Sequence, residues 1–208
     1  SFGQMNHEKL VDLFVHYDDK LYKDVITDAY NRRYYEDEMK ALEWTAGIAL
    51  IDLDDFKLYN DTYGHKASDM TLYTVADVIR KNTRKSDYLV RFGGDEFLLL
   101  MPEISRDEFE KCLKHTKQKI NEADVPGYTS LHLSVSVGGV MLNGTETVDD
   151  AAIRADKLMY QAKTHTNMVM TEMMLAQSSE QENELHARKE RILIVDDSEL
   201  NRALLTEM

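Results

Sequence analysis

Residues 88–101 read Tyr88-Leu-Val-Arg-Phe-Gly-Gly-Asp-Glu-Phe-Leu-Leu-Leu-Met101. Two short apolar runs, 88–92 and 97–101, flank Gly93-Gly94-Asp95-Glu96. Paired glycines between such runs predict a tight β-hairpin, because glycine tolerates positive φ. The tip then carries two adjacent acids, Asp95 and Glu96. Upstream, Ala46-Gly-Ile-Ala-Leu-Ile-Asp-Leu53 is a compact apolar run with β-branched residues, the pattern of a buried strand, and it ends in acid at Asp52, Asp54 and Asp55. With the hairpin strands laid beside it, the two sets of acids meet.

Further out, the spacing of Met70, Leu72, Tyr73, Val75, Ala76 and Ile79 predicts a helix from about Lys66 to Arg84, with Arg80, Lys81, Arg84 and Lys85 placed to complement its C-terminal dipole. Other helices are expected from about Asn31 to Glu43, from a Ser105 cap to about Ala123, and from Asp149 to Lys163. Pro126-Gly127 breaks the chain, and Leu133, Val135 and Val137 alternate with Ser134 and Ser136 in a strand from Ser130 to Leu142. The order α-β-α-β-β-α-β-α predicts an α/β fold of the α+β sandwich kind, with a mixed, mostly antiparallel sheet flanked by helices. Residues 1–23 are expected to form a helical lead-in striped by Leu10, Leu13, Phe14, Tyr17 and Leu21. Residues 171–190 are polar and suit a helical linker, after which Arg191-Ile-Leu-Ile-Val195 starts a new strand that ends in Asp196-Asp197.

Composition narrows the function classes. The 208 residues carry 25 Lys+Arg against 38 Asp+Glu, and a net charge of −13 repels a polyphosphate backbone, so no nucleic-acid partner is expected. A hydrophobic content of 43% suffices for one sizeable core. The single cysteine, Cys112, cannot form an internal disulfide, and the chemistry does not rest on sulfur. No apolar run reaches the roughly 18 residues of a membrane span. The opening Ser-Phe-Gly-Gln lacks a signal-peptide pattern, and a cytoplasmic chain is expected.

Three carboxylates in four residues after a buried strand repel one another. Either a divalent cation with oxygen ligands offsets that repulsion, or the acids form a solvated turn that caps the next helix. A calcium loop is set aside, because that pattern wants glycine where Lys57 stands. Gly93-Gly94 is either only a tight turn or a place where a phosphate comes close to the backbone. Together the strand end and the hairpin point to a metal–triphosphate site.

Arg91-Phe-Gly-Gly-Asp-Glu-Phe97, preceded by Ile51-Asp-Leu-Asp-Asp-Phe-Lys-Leu-Tyr-Asn-Asp-Thr-Tyr-Gly-His65 and by Asn31-Arg-Arg-Tyr34, resembles the GGDEF family of diguanylate cyclases. The resemblance extends through Leu133-Ser-Val-Ser-Val-Gly138 and Ala155-Asp-Lys-Leu-Met-Tyr-Gln-Ala-Lys163, and gives a domain over residues 24–170. It implies a palm-like nucleotidyl cyclase fold that condenses two GTP into cyclic di-GMP, as a homodimer with one GTP in each subunit. It also implies that Asp52, the Leu53 carbonyl and Asp95 hold Mg2+, with Mn2+ as an alternative ion. Asp95 becomes the candidate general base, with Glu96 as alternative or orienting partner. Asp69 and Asn60 stand where the family reads guanine, and His65 belongs to the same substrate-binding set. Lys57, the amides around Phe56, Gly93, Gly94 and Lys163 match the phosphate contacts. Arg84-Lys-Ser-Asp87 matches an inhibitory motif at which Arg84 and Asp87 bind the product, cyclic di-GMP.

The chain also departs from the family pattern. Ile26-Thr-Asp-Ala29 replaces the usual Leu-Thr-Gly-Leu, Ser68 replaces a common glycine, and Thr164-His-Thr-Asn-Met168 replaces Gly-Arg-Asn and omits a phosphate-binding arginine. The alternative function is a catalytically weak receptor for GTP or cyclic di-GMP, and a relay or dimerisation role can coexist with catalysis. Residues 191–208 resemble the start of a response-regulator receiver domain, with Asp196 and Asp197 at its acidic pair.

Overall fold

The apolar run ahead of Asp52 forms β1 (Thr45–Leu53), in which every residue after Thr45 is buried. A strand covered on both faces belongs at the centre of a sheet with helices on each side. The structure, a computed structural model, describes residues 20–176. β2 (Tyr88–Arg91) and β3 (Glu96–Pro102) form the expected hairpin, and the remaining strands are β4 (Val135–Asn143) and β5 (Val169–Thr171). The five strands lie in the order β2-β3-β1-β4-β5. β1 runs antiparallel to both β3 and β4, whereas β5 runs parallel to β4, so the sheet is mixed and mostly antiparallel.

Alternation along the strands sorts side chains into two cores. On one face Ala49, Ile51, Leu53, Phe97, Leu99 and Met101 meet the helices α3 (His65–Lys81) and α4 (Arg106–Asn121). On the other, Ile48, Leu50, Leu98 and Leu100 meet α5 (Val148–Lys163) and the segment around Tyr35 and Met39. Burying each such leucine contributes roughly 1.5–3 kcal/mol, so the central strands are the stable frame from which the site projects. Both α4 and α5 begin with capping boxes, Ser105 with Glu108 and Thr147 with Asp150. At Gly138 the contact between α5 and β4 has no room for a side chain, since a Cβ there would lie 2.1 Å from the Ala155 carbonyl oxygen.

Several local expectations are corrected. The helix expected over Asn31–Glu43 is a short α1 (Arg32–Tyr34) that widens into a π-helical turn over Tyr35–Met39. β4 starts at Val135 rather than Ser130. An additional helix, α2 (Phe56–Tyr63), follows the acidic strand end, and it buries none of its residues fully. Contacts divide the chain into two compact units after Thr171, and the sheet belongs to the first. In the second, residues 172–176 are helical. Most of the lead-in, the rest of the expected linker and the stretch 191–208 lie outside the described residues.

Candidate active site

Sheet register brings the two acid sets together. Asp52, in the last turn of the pleat before β1 ends, pairs across to Glu96 on β3 and to Ser136 on β4. Leu53 N–H donates to the Asp95 carbonyl at 3.2 Å, which ties the hairpin tip to the strand end. Asp95 and Glu96 are half-buried, while Asp52 is only 2% exposed. Lys163, in the last turn of α5, places Nζ 2.8 Å from Asp52 Oδ1. That contact is an ion pair without hydrogen-bond alignment, and Oδ1 has no aligned donor. Burial, helped by the charges of Asp95 and Glu96 and opposed by Lys163, pushes the Asp52 carboxyl up from 3.8 to about 6. For Lys163 burial works the other way, but Asp52, Asp95 and Glu96 outweigh it and hold the ammonium above its ordinary range.

The glycine pair works by space rather than by left-handed backbone, since neither Gly93 nor Gly94 has positive φ. A Cβ on Gly93 would sit 2.7 Å from Glu96 Oε2, so glycine lets the glutamate fold back over the turn. Around Gly94 nothing lies within 4 Å of where a Cβ would be, which leaves the backbone open to a ligand. Arg91, unassigned from sequence, braces this tip: Nε and Nη2 donate to the Gly94 carbonyl at 3.2 and 2.7 Å, and Nη1 reaches both Asp24 oxygens. Burial would raise Asp24, but donors from Thr27 and Arg91 prevail and hold it below the usual carboxylate range.

The acidic strand end divides into unlike roles. Asp54 is buried and accepts from Ser134 Oγ at 2.5 Å, Ser136 Oγ at 2.7 Å and Asn167 N–H at 2.8 Å, so its carboxylate is committed to protein donors. Asp55 is exposed and left-handed at φ 56, and it gives α2 no side-chain cap. The first N–H groups of α2, around Phe56 and the exposed Lys57, are therefore open to an anion beside Asp52. Among the described residues no group of three or more His, Cys, Asp or Glu side chains is arranged to hold a metal ion. Asp52 and Asp95 with a backbone carbonyl nevertheless suit Mg2+, which binds through one or two carboxylates and completes its shell with water and phosphate oxygen. The buried Asp52 oxygen without an aligned donor fits such an ion.

The remaining expected residues lie on and after α2 and α3. Asn60 Oδ1 accepts from Ser68 Oγ at 3.1 Å, which brings Asn60 to the residue before Asp69. Asp69 is exposed and lines an open cavity of about 520 Å³ with Ile26, Lys66, Met70 and Tyr73; His65, exposed at the start of α3, is not in that lining. Arg84 and Asp87 close on each other: Asp87 accepts from Arg84 N–H at 2.7 Å and from Nη2 at 3.0 Å, and its side chain is fully covered. Arg84 Nη2 also donates to the Pro102 carbonyl.

A mixed sheet whose β2–β3 hairpin delivers two acids beside a buried aspartate at the end of the central strand is the palm-like cyclase fold, and solved structures share it. The chain matches the family described as "Diguanylate cyclase, GGDEF domain" over residues 21–168, and it belongs to that family. Diguanylate cyclase DosC of Escherichia coli (strain K12) is 32% identical over 149 residues, which cover 67% of this chain and 32% of DosC. Diguanylate cyclase DgcP of Pseudomonas aeruginosa is 34% identical over 119 residues, covering 56% of this chain and 17% of DgcP. The chain thus spans a minor part of these relatives. The GGDEF domain of DgcB from Caulobacter crescentus, solved in complex with c-di-GMP, superimposes with a TM-score of 0.66 at 26% identity, covering 73% of this chain and 93% of that one. SiaD from Pseudomonas aeruginosa, solved with its activator SiaC, gives 0.67 at 25% identity, with 79% and 66% covered. Among the described residues no helix is long and apolar enough to cross a membrane.

Proposed function

We propose that this chain is a diguanylate cyclase that condenses two GTP into cyclic di-GMP and two pyrophosphates. The observation that carries the reading is Asp52, buried opposite Glu96 at the hairpin tip and 2.8 Å from Lys163. In each half-reaction the 3′-hydroxyl of one nucleotide attacks the α-phosphorus of the other. A P–O bond forms, the bond to the β-phosphate breaks, and pyrophosphate leaves. Asp95 or Glu96 takes the hydroxyl proton, a role supported by their half-buried position beside the open Gly94 backbone. Asp52, Asp95 and the Leu53 carbonyl would hold Mg2+, which when bound would supply Lewis-acid stabilisation of phosphate charge. Lys163, Lys57 and the uncapped α2 amides neutralise the triphosphate. Asp69 accepts from the guanine N1–H and N2–H groups while Asn60 supplies an amide, so adenine leaves these groups unpaired.

One GTP per subunit makes the homodimer the catalytic unit. Product inhibition follows from Arg84: Asp87 is spent orienting it, so the guanidinium, half exposed, is the group offered to cyclic di-GMP. The resemblance of residues 191–208 to the start of a receiver domain supports a role for the cyclase in a signalling protein. The receptor reading draws support from the missing arginine after Lys163 and is separated by turnover. The test is a product assay with GTP or ATP and Mg2+, in the wild type and in Arg84→Ala. Expected is cyclic di-GMP from GTP alone, with a progress curve that flattens in the wild type and stays linear in the variant. Tight cyclic di-GMP binding with no turnover supports the receptor instead.

A further inference from the structure

The turn after α5 holds two consecutive non-glycine residues in the left-handed region, Thr166 and Asn167, each at φ 51. For a β-branched threonine this is an outlier, and such backbone persists only where the surroundings over-determine it. Here they do. Asn167 N–H donates to Asp54 Oδ2 at 2.8 Å, its carbonyl accepts from Lys117 Nζ at 2.7 Å, and its Oδ1 accepts from Asn121 Nδ2 at 2.9 Å. Three polar groups of one residue are thus anchored by two other segments of the fold.

What this anchoring holds is specific. Asp54 follows Asp52 by two residues, and its own N–H donates to the Ser134 carbonyl at 2.9 Å, so the β1 end is pinned. At the other end, Thr166 N–H donates to the Lys163 carbonyl at 3.2 Å, and His165 N–H to that of Ala162 at 3.1 Å. The Asp54–Asn167 bond therefore joins the segment that carries Asp52 to the segment that carries Lys163, the two partners of the site's ion pair.

We propose that Asp54 and Asn167 form a latch that positions Lys163 for the triphosphate, with Asn121 and Lys117 as its outer supports. Neither latch residue touches the nucleotide; both act through Lys163. In a chain that lacks the usual arginine in this turn, Lys163 carries more of the phosphate charge, and its placement matters correspondingly more. The ligand in this inference rests on the cyclase reading above, whereas the latch rests on the hydrogen bonds of the turn.

A double-mutant cycle on the full 208-residue chain tests it, with binding of a non-hydrolysable GTP analogue plus Mg2+ measured by calorimetry. Lys163→Met and Asp54→Asn should each weaken binding about tenfold, and the double variant should bind no more weakly than Lys163→Met alone. A general structural role for Asp54 predicts instead losses that multiply to about a hundredfold. Asn121→Ala, a neutral change outside the site, guards against misfolding of Asp54→Asn. It should weaken binding about threefold when Lys163 is present and not at all in Lys163→Met. Multiplying losses, or wild-type affinity in both Asp54→Asn and Asn121→Ala, overturns the latch while leaving the cyclase reading intact. A wild-type chain that binds no guanine nucleotide overturns both.

Discussion

Replacing Asp52 by asparagine should stabilise the folded chain while removing its activity. Burial raises this carboxyl from 3.8 to about 6, so above pH 6 the folded state carries a charge it holds less well than the unfolded state does. The shift of about two units corresponds to about 3 kcal/mol of disfavoured ionisation. Asparagine keeps the shape of the neutral acid and drops that term. Lys163 then loses its partner, but its side chain is 40% exposed and can rehydrate. A net gain of about 2 kcal/mol at pH 8 follows, seen as a melting point higher by about 4–8 °C in a chelated, metal-free sample. The advantage depends on pH in one direction. Because the folded-state value is the higher one, wild-type Asp52 regains stability as pH falls through 6 and has regained it fully below 3.8. The gap between variant and wild type should therefore close over that window. Equal or lower stability of Asp52→Asn at pH 8, or a gap that does not change with pH, refutes the reasoning.

Gly93→Ala should push the Glu96 carboxylate off the turn and cut kcat at least about tenfold with little change in melting point, because only a flexible side chain must move. Gly138→Ala should do the reverse: its Cβ would meet the Ala155 and Met159 backbone, and a loss of about 3 kcal/mol or more in urea unfolding is expected. Tyr35→Phe removes a 2.5 Å hydrogen bond to Asp149, at the opposite end of α5 from Lys163, while keeping the ring that packs on Phe92, and should cost about 1 kcal/mol in the same experiment with kcat unchanged. Thr166→Gly keeps the Asn167 N–H and relieves the left-handed threonine, so a gain of about 1 kcal/mol is expected; a loss would show that φ 51 carries no strain.

Much of this architecture is legible in the sequence because its signals are local. The Tyr88–Met101 hairpin is two apolar runs around a glycine pair, β1 is an unbroken apolar run, and the start of α4 is written in Ser105 and Glu108 three residues apart. α2 escapes because it is only eight residues long and follows directly on the acidic strand end, so its short stripe of Phe56 and Tyr59, partly buried against the core, spans too few turns to stand out. Tyr35 and Met39 lie four apart like an α-helical pair, but the backbone there is π-helical and the pattern does not extend. Strand β5 is only three residues long, too short for alternation to show. In the site, the acids at the strand end and hairpin are visible as a cluster, whereas their division of labour is not. The commitment of Asp54 depends on Ser134, Ser136 and Asn167, more than 79 residues away, and no local pattern encodes that bond set. The bracing of Gly94 by Arg91 and Asp24 is hidden for the same reason.

The most direct test is to incubate the purified chain with GTP and Mg2+ over a series of protein concentrations, scoring cyclic di-GMP and pyrophosphate, with Asp95→Ala alongside. The account predicts product in a one-to-two ratio with pyrophosphate, a rate that rises faster than linearly with protein as two subunits meet, and no product from the variant. Absence of cyclic di-GMP at the highest concentration, or equal turnover by Asp95→Ala, would contradict it.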